Sequence, residues 1–292
     1  MKKLLKLFFP ALSLVIFATL LWAMLLEWTP SSVTTMLSFG SGLLAYSVML
    51  TLVIISVRPK VIEKHVGLPD MYAVHGWMAM TMAVAIIIHV FNQWNGFENI
   101  FSGHLSNISL TGFIAIISLI VVMLTGIFVL SNVFIQRSKN LMRLKENYFK
   151  RERHLWLHRL ALVSIVAIYF HMFFLGFLSS NTTYMTLLTV YTVGVLGWYL
   201  FYKISLTRLP KYVITNISRP TPNLYEIELE PTEGQAIMTY KAGQYAFIRF
   251  VDSSISKESH PFSLSSAPSF GQDNLQMIIK EMGDFTKSLS QV

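Results

Sequence analysis

The chain has no cysteine among its 292 residues. That absence removes disulfides, thiolate-ligated haem, iron–sulfur clusters and thiol nucleophiles, so any redox work needs a bound cofactor held by other ligands. Charge is also scarce. Asp, Glu, Lys and Arg supply 13% of the residues and hydrophobic side chains 53%, and mean hydropathy is positive. This is the balance of a membrane protein, not of a globular one. No carboxylate sits well inside an apolar run, Asp70 lying at the edge of one. A transporter or channel, whose pathway is lined by intramembrane acids, is therefore disfavoured. A GxGxxG turn or comparable phosphate cradle is missing too, so these residues do not encode a complete dinucleotide site.

What is present is six apolar runs long enough to span a bilayer, at 7–27, 38–57, 71–92, 109–133, 155–178 and 183–203. The opening MKKLLKLFFPALSLVIFATLLWAM resembles a signal peptide, but the run is long and no small-residue cleavage site follows, so it reads as a retained first helix. Lys2, Lys3 and Lys6, then Arg58, Lys60 and Lys64, then seven basic residues between Arg137 and Arg153, then Lys203, Arg208 and Lys211 all fall on one side. The opposite loops, near 28–37, 92–108 and 178–183, hold no Lys or Arg. The positive-inside rule then predicts an integral plasma-membrane protein with both termini cytoplasmic. The net charge of +8 reflects this topology, and no nucleic-acid partner is expected. After Pro210 the texture changes: YVITNI, NLYEIELE, QYAFIRF and NLQMIIK are β-rich and separated by turn residues, and GDFTKSLSQV closes with a short helical pattern.

Two pairs of histidines lie inside the apolar runs: His75 and His89 in the third, His158 and His171 in the fifth. A ring of this kind is costly in a membrane helix unless it binds something. Four imidazoles on two helices are what axial ligation of two stacked haems requires. At 1.5 Å per residue, the 14-residue and 13-residue spacings correspond to about 21 Å and about 19–20 Å. The heights match, which pairs His75 with His158 toward the cytoplasm and His89 with His171 toward the outside. The angles match less well. Fourteen residues return to within about 40° of the same face, but thirteen miss by about 140° on an ideal helix. The fifth helix must therefore wind tightly somewhere, or its two rings must approach from different directions. His154 reads as a solvated interface residue, and His65 and His104 as loop residues. Arg58, Lys60 and Arg159 stand where they either pair with haem propionates or simply snorkel. Trp77, Phe91, Tyr169 and Phe170 are either haem-face aromatics or ordinary packing.

These residues, WLHRL above all, give residues 1–205 a resemblance to the ferric-reductase-like transmembrane domain of NADPH oxidases, ferric-chelate reductases and the haem subunit of a bacterial methionine sulfoxide reductase system. AGQYAFIRF followed by HPFSLSSAP resembles the FAD-binding β-barrel of the ferredoxin-reductase superfamily, over residues 206–292. The resemblance implies a membrane all-α six-helix haem-binding bundle followed by an incomplete cytoplasmic antiparallel β-barrel. It implies two haem b ligated by His75, His89, His158 and His171. It also implies FAD held by His260, Pro261, Phe262 and Ser263, with Ser263 near the reactive edge of the ring. Gly283 and Thr286 of GDFTKSL would form the phosphate-contacting turn, where backbone N–H groups favour anions.

Taken whole, the chain is similar to bacterial NADPH-oxidase-like proteins. The implied activity is transmembrane electron transfer from NAD(P)H-derived reduced flavin to an external acceptor, oxygen giving superoxide. A ferric-chelate reductase, or a cytochrome subunit relaying electrons to a partner protein, is the alternative. The family continues with an NAD(P)H-binding domain that these residues lack. The resemblance therefore implies a C-terminally truncated chain or a separate subunit as donor. Animal oxidases place another His about one turn after the outer ligand; Gln93 stands there, a departure that bears on oxygen chemistry of that kind.

Overall fold

The computed structural model describes residues 2–93, 106–127, 138, 140, 151–251, 259–267 and 274–291. Most of the basic segment 137–150, the loop with Glu98 and His104, and the end of the fourth apolar run lie outside them. The chain divides into two units, Met1–Ser205 and Leu206–Val292.

The first unit is helical: α1 Lys2–Leu25, α2 Val33–Ser56, α3 Lys60–Val66, α4 Leu68–Asn92, α5 Asn107–Thr125, α6 Arg151–His158, α7 Ala161–Phe174, α8 Gly176–Ser179 and α9 Thr182–Ser205. Among the described residues six stretches are long and apolar enough to cross a bilayer: Lys6–Leu25, Val33–Ser56, Leu68–Asn92, Asn107–Thr125, Arg153–Phe174 and Thr182–Ser205. Their starts are marked by local chemistry. Ser32 and Ser106 cap α2 and α5 by accepting from the N–H of Thr35 and Ser109, both at 3.1 Å. Gly67, with φ +86°, makes the left-handed corner between α3 and α4 that a side chain would resist. The short helix α3 occupies a segment that the sequence presents only as a polar connection.

In the apolar window of α2, 67% of residues are buried, against at most 33% for any other span; α2 is therefore the central helix. Tyr46 and Leu50 of α2 are fully buried, as are Ile165 of α7 and Leu188 of α9. Large apolar side chains such as Trp22, Trp77, Val84, Ile87, Phe91 and Val193 are exposed on the outer faces, the arrangement expected where lipid replaces water. Short polar links tie the helices together: Tyr46 to Thr192 at 2.7 Å, Ser118 to Ser164 at 2.6 Å and Thr19 to Tyr191 at 2.9 Å. At the opposite end from His75, Asn181 is 1% exposed. Its Oδ1 accepts from Tyr184 N and its Nδ2 donates to Ala23 O, both at 2.8 Å, so it caps α9 and fastens it to α1. Asn181→Ala is expected to cost about 1–2 kcal/mol, the range of a lost N-cap. Thermal unfolding in detergent of the variant beside wild type checks this.

Among its described residues the second unit holds five strands: β1 Tyr212–Thr221, β2 Leu224–Pro231, β3 Tyr245–Ile248, β4 His260–Ser263 and β5 Leu275–Lys280. β1, β2 and β5 form one antiparallel sheet in that order, and β3 and β4 form a second antiparallel ladder. Period-2 alternation sends Tyr225, Ile227 and Leu229 of β2 inward, opposite Ile279, Met277 and Leu275 of β5. α10, Asp284–Ser288, follows, with Phe285 closing this small core. The sequence leads one to expect a barrel. Among the described residues the two ladders meet only at the Leu264–Met277 bridge and do not close, since closure needs hydrogen bonding all the way round.

Candidate functional site

The third and fifth spans bring the four histidines into two facing pairs. The ring centroids of His75 and His158 lie 6.2 Å apart and those of His89 and His171 6.4 Å apart. A metal–imidazole bond is about 2.0–2.1 Å and the nitrogen is about 1.1 Å from its ring centre, so two imidazoles trans on one iron put their centroids about 6.3 Å apart. Both pairs fit that gap. The planes meet at 46° and 87°, which axial ligation permits because each ring rotates about its own metal bond.

The second nitrogen of three rings is already committed. His89 Nδ1 donates to Ser38 O at 2.8 Å, His171 Nδ1 to Ile108 O at 2.9 Å, and His158 Nδ1 to Val122 O at 3.1 Å with Thr125 Oγ1 at 3.3 Å. That fixes the tautomer: Nδ1 carries the proton, and Nε2 is left as the ligand lone pair. Among the described residues no hydrogen bond is made to the His75 ring, so the four rings are not equivalently anchored. No cluster of three or more His, Cys, Asp or Glu suitable for a bare metal occurs among the described residues. Two imidazoles per level suit a metal whose remaining ligands come from a macrocycle. The residues therefore fit haem at each level.

The angular mismatch on the fifth span has a structural answer. The span is broken: α6 ends at His158 and α7 begins at Ala161. Across the join the hydrogen bonds tighten to i→i−3, from Arg159 N to Trp156 O, Leu160 N to Leu157 O and Leu162 N to Arg159 O. Three such residues overwind the helix by about 60° in all relative to an α-helix, recovering part of the missing rotation. The different ring planes take up the rest.

Other expectations resolve as follows. His154 is 7% exposed, not solvated, because four residues from His158 it shares the inward face of α6. His65 lies on α3 with Nδ1 bonded to Val61 O. Trp77 and Phe91 are exposed at 71% and 77% and lie on the outer face. Gln93 Nε2 donates to Ser38 Oγ at 2.8 Å, which ties the end of α4 to the residue whose carbonyl holds His89.

In the second unit, alternation along β4 divides the four sequence-derived flavin residues. His260 and Phe262 turn inward, stacking on Phe285 at 3.7 Å and 6.1 Å between centroids. Pro261 and Ser263 are exposed on the other face, opposite Phe247 and Tyr245 of β3. Thr286 Oγ1 accepts from the N–H of Met282 and Gly283, both at 2.9 Å, and pins the turn before α10. The sequence reading missed Tyr245, Phe247 and Phe285, although the first two stand in AGQYAFI. It also missed the carbonyls of Ser38, Ile108 and Val122, for which no side-chain identity gives a signal.

Comparison with known protein families matches residues 213–292 to an FAD-binding domain; the second unit thus carries a flavin-binding domain. No curated protein sequence matches the chain. Among solved structures, the flavohemoglobin from Malassezia yamatoensis with bound FAD and heme is similar over 64% of this chain and 61% of its own, at 13% identity and a TM-score of 0.30. The match spans about three fifths of that protein, and a TM-score at this level defines no shared fold.

Proposed function

We propose that the chain is a membrane oxidoreductase that passes electrons singly from reduced FAD through two haem b groups to an acceptor across the bilayer. The observation that carries the reading is the pair of imidazole gaps of 6.2 Å and 6.4 Å, joined on one polypeptide to an FAD-binding domain. When bound, flavin supplies the exchange between two-electron and one-electron chemistry and each haem a one-electron iron couple. His75 with His158, and His89 with His171, would hold the two haems through their ring nitrogens. Ser38, Ile108 and Val122 keep their ring partners oriented through carbonyl oxygens. The apolar residues of α2, α4, α5 and α7 exclude water between the two levels. Pro261, Ser263 and Tyr245, with the half-buried Phe247 beside them, present a face for the flavin ring.

Oxygen, giving superoxide, is the proposed acceptor, and a ferric chelate the second. With the imidazoles of His89 and His171 both engaged by the group they would hold, oxygen would be reduced without displacing either ring. NAD(P)H electrons would arrive through a further domain or a separate subunit, in which case the chain works as a relay. The deciding experiment measures haem and FAD per chain in the purified protein, with visible spectra before and after dithionite. Two low-spin, bis-histidine b-type haems and one FAD are expected. No haem at all overturns the reading. Dismutase-sensitive reduction of an external dye then separates superoxide from ferric reduction.

A further inference from the structure

The carbonyls that hold three of the histidines share a neighbour. His89 bonds Ser38 O, His171 bonds Ile108 O and His158 bonds Val122 O; four residues on from each carbonyl stand Gly42, Gly112 and Gly126. The spacing has a physical cause. A Cα–Cβ bond in a helix leans toward the N-terminus, so the Cβ of residue i+4 overhangs the carbonyl of residue i. A ring that reaches that oxygen from another helix must pass through the space such a Cβ would fill. At Gly42 an added Cβ would stand 2.7 Å from His89 Nδ1 and 2.9 Å from its Cε1. At Gly112 it would stand 3.1 Å from His171 Nδ1, and at Gly126 only 3.7 Å from His158 Cε1, an ordinary contact. Glycine costs a helix about 0.5–1 kcal/mol relative to alanine, so its presence at a crowded interior position calls for a compensating gain. Gly40, two residues away on α2, has nothing within 4 Å of an added Cβ and serves as the internal comparison.

We propose that Gly42 and Gly112 are positioning residues: each opens the notch through which His89 or His171 reaches a backbone carbonyl, and together they set the orientation and ligand basicity of that pair. The inference rests on the haem reading above and deepens it. It predicts a graded series. An Nδ1–H···O=C bond makes the imidazole a stronger donor to iron and favours the oxidised metal. Its loss weakens retention of the haem and raises the reduction potential of that one centre.

The test uses the full chain in detergent, with haem stoichiometry and a spectroelectrochemical titration as readouts. His89→Ala first identifies which of the two transitions belongs to this level. Gly42→Ala is expected to raise the potential of that transition alone and to weaken its haem by about 10–100-fold, the range for losing such an outer partner. Gly112→Ala is expected to move the same transition less, Gly126→Ala to move the other transition least, and Gly40→Ala to change neither. Thermal unfolding of Gly42→Ala, and persistence of its second haem transition, separate a displaced ring from a misfolded bundle. Equal behaviour of Gly42→Ala and Gly40→Ala, whether both are silent or both lose haem, overturns the inference while leaving the haem reading intact. A wild-type chain without two haem transitions overturns the haem reading and this inference with it.

Discussion

On the proposed two-haem reading, His89→Ala is expected to hold one haem per chain instead of two and to abolish electron transfer across the bilayer. The remaining haem should keep its spectrum and potential, because His75 and His158 belong to a separate level with their own 6.2 Å gap. His171→Ala should give the same phenotype, since either ring of the 6.4 Å pair alone leaves iron with one open axial position. His75→Ala should give the mirror result. Pyridine haemochrome assays per chain, redox titration, and dye reduction by vesicles loaded with a reductant provide the three readouts. Two full haem transitions in His89→Ala would break the pairing of residues across the third and fifth spans. Loss of both haems on removal of any single ring would mean that the two levels are one cooperative site.

Phe285→Ala is expected to empty the flavin site and spare the haems. Phe285 is 9% exposed, and its ring stacks on His260 at 3.7 Å and faces Phe262 and Phe250 at 6.1 Å and 6.0 Å. Truncating a buried aromatic costs about 3–5 kcal/mol. A unit the size of Leu206–Val292 has about 4–13 kcal/mol in total, so most of its stability is at stake. With β4 no longer clamped from its inner face, Pro261 and Ser263 lose their fixed position on the outer one. FAD affinity should fall by more than about tenfold, since each 1.4 kcal/mol transmitted to the site is one such factor. Phe285→Leu should retain most of it. FAD fluorescence released on denaturation, set against haem content of the same sample, checks the result. Full FAD occupancy in Phe285→Ala would show that the inner face of β4 does not govern the site.

The features legible from residues alone are those with a period. The six apolar runs appear, among the described residues, as six helical stretches long and apolar enough to span, because length and hydrophobicity are local properties. The two histidine pairs could be matched by height because rise per residue is constant. Alternation in NLYEIELE and NLQMIIK marked β2 and β5. The same rule, applied to HPFS, would have placed His260 and Phe262 on one face and Pro261 and Ser263 on the other; reading the motif as a unit hid that division. His154 shows the converse: its charged neighbours pointed to solvent, but its four-residue distance from His158 decided its burial. The break at Arg159–Leu160 could be anticipated only as an angular debt. The carbonyl partners of the rings could not be anticipated at all, because every residue carries the same backbone oxygen and only the packing of α2 on α4 and of α5 on α6 and α7 chooses one. Gly42 and Gly112 left a trace, as glycines inside otherwise uninterrupted helical runs.

The central position of α2 bears on how the protein is made. Ser47 donates to Leu43 O at 2.8 Å and Thr51 to Ser47 O at 3.0 Å, both within α2 itself. A newly synthesised α2 can therefore rest in lipid with these hydroxyls already satisfied, waiting for partners encoded more than a hundred residues later, such as Thr192, which meets Tyr46. The histidine pairs are completed before Thr192 is made but well after α4, because His158 and His171 arrive only with the fifth span. Capture of the proposed cofactors would thereby be deferred until most of the helical unit has been made, and a ribosome stalled before residue 171 would leave His89 without its facing ring.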